Sequence, residues 1–595
     1  MPRLFFSFGF AFILGLGCGS LVSELDRIQQ KASATSAVPT FSPAPDAYYS
    51  AQNVTLLAAP AGTLICYTVN GADPACSDGS CTAGLAYSTA VTTVSTAGAS
   101  VQTTIRAVAC EKGARSSSVA TSTYTIDRTA PVLLSSNPTN AATSVSPCGS
   151  SVFSNGGCTA AITLVFNKRM DTTQTQALTL DVHDGTSFVN ATVSLSSAVW
   201  STTNMTNDTL ALTPSWLLFP ENTEVRYSLP AAGFQDIGGT VIAAGIQRTF
   251  TTATLGVSYP VSDTGVGICY NAASVQACPN VAGFPNQDGD FPTTPNGRSF
   301  LGPNPHATYT SDYTTLDNVT GLTWKSCIEG LSGVLCGLGT NSTMSWYNAL
   351  NQCAAMNAAN AGAGYAGRTN WRLPTNVEME TLPDYSLFNP AYPAAHFPAT
   401  SAQYYWSSTT MLNSPMDVFS QYGASGLTAA GVGDKTSVFR VRCVSQGTVA
   451  KVASFTDNND GTITDLNTDL MWTKCSMNNS GTGTLQTYTS GCTNLAAGTR
   501  NWSQALTDCT NLVLAGKSWR LPNKNELKSI VDKSVTNPTV RAAYFPNTTA
   551  SSYWTSSTFA NNTANAWVVQ FSNGGTLDAT KSGVSNFVRC VANRF

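Results

Sequence analysis

The sequence predicts a multidomain, β-rich chain: two antiparallel β-sandwiches followed by two α+β domains. Three observations lead there. In the N-terminal part, short β-prone runs ("NVTLLAA", "TLICYTVNG", "VQTTIRAVAC") alternate with Gly, Asp, Asn and Pro punctuation, the pattern of strands joined by turns. Further on, "RTNWRLPTNVEMETL" from Arg368 and "GKSWRLPNKNELKSI" from Gly516 repeat one pattern at an offset of 148. Apart from Cys18, the cysteines fall into even regional groups: Cys66, Cys76, Cys81, Cys110; Cys148, Cys158; Cys269, Cys278; Cys327, Cys336, Cys353, Cys443; Cys475, Cys492, Cys509, Cys590. Even groups point to disulfides in an oxidising compartment, and without a CxxC pair they do not read as a zinc site.

Bulk composition narrows the choice. A chain of 595 residues holds roughly three to five domains. Only 11% of residues are charged, well under the ~25% of ordinary globular chains. The formal net charge of -3 gives no reason to expect nucleic acid as a partner. The three histidines, His183, His306 and His396, are far apart, which argues against a histidine metal site or a His-based relay. No metal or cofactor is expected.

The chain opens "MPRLFFSFGFAFILGLGCGS". Arg3 and the apolar run behind it read as a signal peptide over residues 1–17, since the run is too short to span a bilayer. "GLGC" resembles a bacterial lipobox, which implies acylation of Cys18 and a lipidated tether over residues 18–37. The polar stretch after Cys18 has no core of its own.

Residues 38–127 read as the first sandwich. "FSPAPDAYYSAQNVTLLAAPAGTLICYTVNGADP" resembles the small Ig-like module at the C-terminus of chitobiases and hexosaminidases, an accessory domain there. Cys66 is expected to join Cys110 across two strands, with Cys76 and Cys81 closing a loop. Residues 128–253 follow, with "AAITLVFNKRMD" and "TLALTPSWLLFPENTEVRYSLPA". This stretch resembles a bacterial Ig-like domain of the kind repeated in surface proteins. Cys148 and Cys158 bracket a Gly/Ser-rich insertion and are expected to pin it.

Residues 254–449 and 450–595 are tandem copies of one domain. "DNVTGLTWKSC", "WRLP" and "YWSST" recur as "DLNTDLMWTKC", "WRLP" and "YWTSS" at offset 148, and "VRCV" at 147. Trp346, Leu350 and Cys353, like Trp502, Leu506 and Cys509, are spaced to form one buried helical stripe. The proline of "LPTNVEMETL" and "LPNKNELKSI" is expected to open a second helix. Pairing Cys353 with Cys443, and Cys509 with Cys590, would tie the first helix to the last strand; Cys327–Cys336 and Cys475–Cys492 would close smaller loops. Arg372 with Glu378, and Arg520 with Glu526, read as structural pairs rather than catalytic ones. "TDNNDGT" reads as a hairpin turn because its acids miss the EF-hand spacing.

The series "DxxTxLxW…W…C…WRLPxxxE…YWSS…VRC" resembles the domain of unknown function at the end of the Legionella collagen-like adhesin. "WRLPxxxE" is also similar to the "RLPTEAEW" signature of formylglycine-generating enzymes. These resemblances imply a C-type-lectin-like α+β fold, and the adhesin's end binds sulfated glycosaminoglycans.

One feature belongs to this chain alone. Residues 254–449 carry 7 Lys/Arg against 11 Asp/Glu, and residues 450–595 carry 12 against 8. The excess gathers near the second motif helix as Lys517, Lys524, Lys528, Lys533 and Arg541, where Lys524 and Lys528 share a helical face. Their counterparts in the first copy are Asn376 and Glu380. The expectation is a basic face meeting an anionic, sulfated glycan.

The resulting reading is an exported, lipid-anchored protein of the bacterial outer membrane, surface-exposed and not an enzyme. Two Ig-like sandwiches form a stalk that presents two lectin-like domains for adhesion or recognition. The membrane is met through the N-terminal lipid, and the partner is an anionic glycan or a host or envelope protein. The rivals are an oxidase of the formylglycine-generating type, marked by reactive thiols in the repeats, and a structural, protein-docking component, marked by an exposed apolar patch.

Overall fold

The computed structural model describes residues 34–594 apart from 59, 61, 150–157, 174–177, 191–194, 273, 280, 446–450, 478–491, 493–496 and 584. The signal-peptide, tether and Cys18 readings therefore lie outside the described residues. Two compact units form. One holds residues up to Val132 with Asn167–Gln174 and Ala231–Ala243; the other holds Leu133–Phe166, Thr175–Pro230 and Ala244–Phe595.

In the first unit, strands Thr40–Ser42, Gln52–Leu57 and Val91–Thr93 make one sheet. Ala47–Tyr48, Ala120–Asp127, Ser100–Cys110, Leu64–Thr68 and Leu85–Ala86 make the other. Alternation along Ala120–Asp127 turns Tyr124 and Ile126 inward with Val54, Leu56 and Ile105, as the period of two requires. Cys66 pairs with Cys81, and Cys76 with Cys110, which corrects the expected Cys66–Cys110 and Cys76–Cys81 pairs. In the sheet, Cys66 lies opposite Val108 and Cys110 opposite Leu64. Cys76 and Cys81 face each other across the hairpin Ala75–Ala83, so the hairpin is fastened to the sheet at two points.

The second sandwich packs Leu133–Asn137, Ile162–Phe166, Thr209–Pro214 and Leu195–Ser201 over a five-stranded sheet ending in Phe188–Asn190. Leu164, Phe166, Leu210, Leu212, Val225 and Phe250 are buried in it. Cys148 is bonded to Cys158.

Each repeat is α+β. In the first copy, Phe300–Pro305, Tyr313–Asp317, Thr323–Lys325, Val444–Ser445 and Trp371–Arg372 form one sheet, and Tyr404–Met411, Ser414–Tyr422 and Leu427–Ala429 another. The second copy builds the matching core strands Thr462–Asp465, Leu470–Thr473 and Val591–Asn593, with a second sheet through Ser552–Thr558, Asn565–Gln570 and Thr576–Thr580. "TDNNDGT" turns the hairpin between Phe455–Asp457 and Thr462–Asp465.

The repeated letters have matching physical jobs. Trp346 and Trp502 begin helices Trp346–Ala355 and Trp502–Thr510, and their indole N–H groups donate to Ser407 O and Thr555 O at 2.8 Å in both cases. Cys353–Cys443 and Cys509–Cys590 tie each helix to the last strand, with Cys327–Cys336 and Cys475–Cys492 beside them. The arginine of "VRC" is buried and caps carbonyls: Arg442 donates to Lys325 O and Ser326 O, and Arg589 to Thr473 O and Lys474 O.

The motif helices are short, Asn376–Met379 and Lys524–Ser529, and begin two residues later than expected. Thr375 and Asn523 are the N-caps, so Pro374 and Pro522 precede the cap instead of opening the helix. Glu378 and Glu526 close capping boxes by accepting the cap residue's own N–H at 2.8 Å in both copies, which satisfies orphan donors in both directions.

Candidate functional site

The site grows out of "WRLPxxxE". Glu378 spends one face on its capping box and the other on Arg372, which grips it at 2.5 and 2.7 Å. Arg520 grips Glu526 at 2.5 and 2.6 Å. All four side chains are buried. Burial alone would raise the Glu378 carboxyl, but the Arg372 guanidinium holds it below the usual carboxylate range. A bidentate pair of this kind fixes geometry, and here it locks the loop to the helix that follows.

Residues of and just beyond the two motif helices then meet across a seam between the copies. Glu380 of the first copy accepts from Lys528 of the second at 2.8 Å and lies 3.5 Å from Lys533. Thr428 donates to the same oxygen at 2.8 Å. Lys528 also donates to Gly574 O at 2.7 Å. Burial pushes its amine down to about 8, while the two ammonium groups together hold Glu380 below the ordinary range against its own burial. Lys524 is only 1% exposed. Its amine sits 3.3 Å from the Trp567 ring centre and 3.9 Å from that of Tyr385, and it donates to Gly426 O at 3.1 Å. Burial drives that amine well below the ordinary lysine range. Val266, Tyr385 and Trp567 form the apolar core beside it.

These facts correct the expected basic face. Lys524, Lys528 and Lys533 are buried against the first copy and are not offered to a ligand. Lys517 is half-buried and donates to Arg594 O at 2.6 Å. Arg541 pairs with Asp532 at 3.1 Å, with 33% of its side chain exposed. Among the described side chains, no lysine or arginine of residues 450–595 is fully exposed. The lysines of and just beyond the second motif helix are therefore spent internally, while Lys517, Arg541 and Arg594 stay partly exposed.

The stretch from Thr254 to Phe300, read as part of the first copy, threads the seam and touches both. Tyr259 donates to Glu378 at 2.6 Å, and Arg298 donates to Leu382 O and Pro383 O at 2.7 Å. On the other side, Asp288 accepts from Ser557 at 2.5 Å and from Thr264 at 2.6 Å. Burial raises the Asp288 carboxyl, and Asp263 nearby raises it further.

A cavity of about 120 Å³ opens at this junction. Its walls include Ser258, Thr254, Thr375, Thr381, Ser529, Phe455 and the Asp532–Arg541 pair. Of the candidates named from sequence, Arg541 alone is both part of this wall and substantially exposed. The one His/Cys/Asp/Glu group among the described residues close enough to hold a metal is Cys269, Cys278 and Asp290. Its two thiols are bonded to each other, which removes them as ligands. The eight repeat cysteines are likewise joined in four disulfides, so the reactive thiols of the oxidase reading are not present there. Among the described residues, no helix is long and apolar enough to cross a membrane.

Fold and seam together define a multidomain protein with Ig-like modules leading into a fused pair of α+β domains, and its disulfides fit a secreted one. Comparison with known families agrees. Residues 313–445 and 461–592 each match the Lcl C-terminal domain, in two tandem copies, and residues 127–252 match a bacterial Ig-like domain. No curated protein matches the chain. Solved structures that resemble it include a chimeric titin Z1Z2 carrying an exogenous peptide from decorin, at 12% identity over 37% of this chain and 98% of that one, TM-score 0.17. Titin domains I67–I69 align at 11% identity over 39% and 73%, TM-score 0.16. Drosophila N-cadherin EC1-4 aligns at 12% over 48% and 66%, TM-score 0.12. At such TM-scores these likenesses carry no weight.

Two outcomes are expected. Glu380→Ala strands Lys528 and Lys533 without their carboxylate and should cost about 3–5 kcal/mol, read as a lowered denaturant midpoint of the oxidised chain. The Asp288 carboxyl keeps its proton to higher pH folded than unfolded. Its contribution is thus full below about pH 4 and is lost as pH rises through the raised folded value. Asp288→Asn should therefore gain stability relative to the wild type between pH 5 and pH 8, seen in denaturant midpoints at both pH values.

Proposed function

We propose that this is an exported adhesion or recognition protein whose two Lcl C-terminal domains act as one head carried by Ig-like modules. The observation that carries the reading is the fusion of two matched domains through the Glu380–Lys528/Lys533 seam. It gives one fixed surface where two independent domains would give a flexible pair. Export is supported by the eight disulfides, which need an oxidising compartment. Attachment through a lipid on Cys18 and placement in the outer membrane belong to the same proposal and rest on the N-terminal sequence.

Glycan is the ligand class, on the strength of the resemblance to the collagen-like adhesin. The place for it is the cavity at the seam. Hydroxyls from Ser258, Thr381 and Ser529, the half-exposed Arg541 and the ring of Phe455 line it, the mixture of polar and apolar groups a sugar site uses. An acidic sugar would pair with Arg541 in competition with Asp532.

A second reading, docking to a protein partner, rests on a different observation. The disulfide-closed loop of the first copy exposes Val334 at 50% and Leu335 at 72%, with Leu338 beside it at 64%. Clustered exposed apolar side chains of this sort mark protein contacts.

The test is a glycan array probed with the oxidised chain. Arg541→Gln should weaken binding at least several-fold, and Lys524→Met should leave it unchanged. Loss of sulfated-glycan binding in a folded Lys524→Met chain would contradict the placement at the cavity. Silence across the array would favour the protein-docking reading.

A further inference from the structure

Both Lcl domains meet the chain that precedes them through the same face. In the first copy, Thr409 donates its hydroxyl to Glu221 Oε2 at 2.5 Å and accepts the Asn376 N–H at 3.0 Å. In the second copy, Ser557, at the equivalent position, donates to Asp288 Oδ2 at 2.5 Å and accepts the Lys524 N–H at 2.9 Å. A buried lysine stands over the tryptophan that opens the long helix of each copy. Lys435 lies 4.6 Å from the Trp346 ring and donates to His183 O at 2.9 Å. Lys581 lies 4.2 Å from the Trp502 ring, with Asn271 O at 3.5 Å.

The segments seated there are unrelated. Glu221 belongs to the loop between strands Thr209–Pro214 and Glu224–Leu229 of the bacterial Ig-like domain. Asp288 opens the short helical turn Asp288–Asp290 of the stretch before the first copy. Around Glu221 the contact is strand-like: its N–H donates to Ser408 O and its carbonyl accepts from Thr410 N, both at 3.1 Å. Neighbouring Asn222 donates to Thr410 O in the first copy and Lys533 O in the second, at 3.1 Å each. Duplication explains why the face recurs. It does not explain why two unrelated segments each deliver a buried carboxylate to it. That coincidence is chemical, because a buried carboxyl group needs a hydrogen-bond partner whether or not it carries its proton.

We infer that this face is a peptide-docking site of the Lcl domain, which seats a segment through one acidic side chain delivered to the Thr409 or Ser557 hydroxyl. The inference stands apart from the glycan reading. Its partner is an acid-bearing peptide segment, supplied in this chain from the N-terminal side of each copy.

Hydrogen–deuterium exchange on the full oxidised chain tests it, read over residues 217–225 and 283–291. Glu221→Ala and Thr409→Ala should each speed exchange of 217–225 about tenfold, and the double variant should go no further. Asp288→Ala and Ser557→Ala should do the same to 283–291. Thr409→Ser and Ser557→Thr keep the hydroxyl and should exchange at the wild-type rate, which separates docking from a general loss of fold. Unchanged exchange in the Glu221→Ala and Asp288→Ala chains would overturn the inference. So would a Thr409→Ser chain that opens as fast as Thr409→Ala.

Discussion

One carboxylate, Glu380, holds the head of this protein together. It sits at the end of the first copy's motif helix and collects Lys528 and Lys533 from the second copy. Without it two ammonium groups would be buried with too little to offset their desolvation. With it, the most polar residues of the two motif helices become the seam between the copies. The Lys524 side chain, the connecting stretch and the cavity are all placed around that contact.

The seam also accounts for the way the two copies diverged. Positions that point into a shared interface are free to differ as long as they complement each other. Asn376 aligns with Lys524, Glu380 with Lys528 and Tyr385 with Lys533 in the repeat, and the structure uses Lys524, Tyr385 and the Glu380–Lys528 pair. Tyr385 forms one wall of the box around Lys524, while Lys533 lies 5.2 Å from the ring of Phe419. Phe419 is the counterpart of Trp567, the other wall of that box. What remains identical in both copies is the scaffold: the tryptophans, the Arg–Glu grip, the capping box and the long disulfide.

The scaffold was legible in the sequence because it obeys local rules. Tryptophan and cysteine at helical spacing announced a buried stripe, and an arginine six residues before a glutamate announced a pair. The bacterial Ig-like and tandem domains followed from strand punctuation and from the repeat itself. The sandwich cysteines were misassigned because the hairpin Ala75–Ala83 folds over the sheet and crosses the pairing, which spacing does not encode. The lysines were misread for a deeper reason. Charge on one helix face looks the same in sequence whether it meets water or a partner of opposite sign. The opposite charges of the two copies were the available signal, since +4 beside -4 within one chain is also the mark of surfaces made for each other. Thr409 and Ser557 close the repeated "YWSST" and "YWTSS" strings, but nothing in the sequence marked Glu221 and Asp288 as their partners; only the fold brings them together.

Amine acylation with mass-spectrometric readout of the native, oxidised chain tests the seam most directly. Lys112, which is exposed, should be labelled at once, whereas Lys524, Lys528 and Lys533 should stay unlabelled until the chain is reduced and denatured. Labelling of those three at the rate of Lys112 in the native chain would mean that the second motif helix faces solvent and that the two copies are not joined through it.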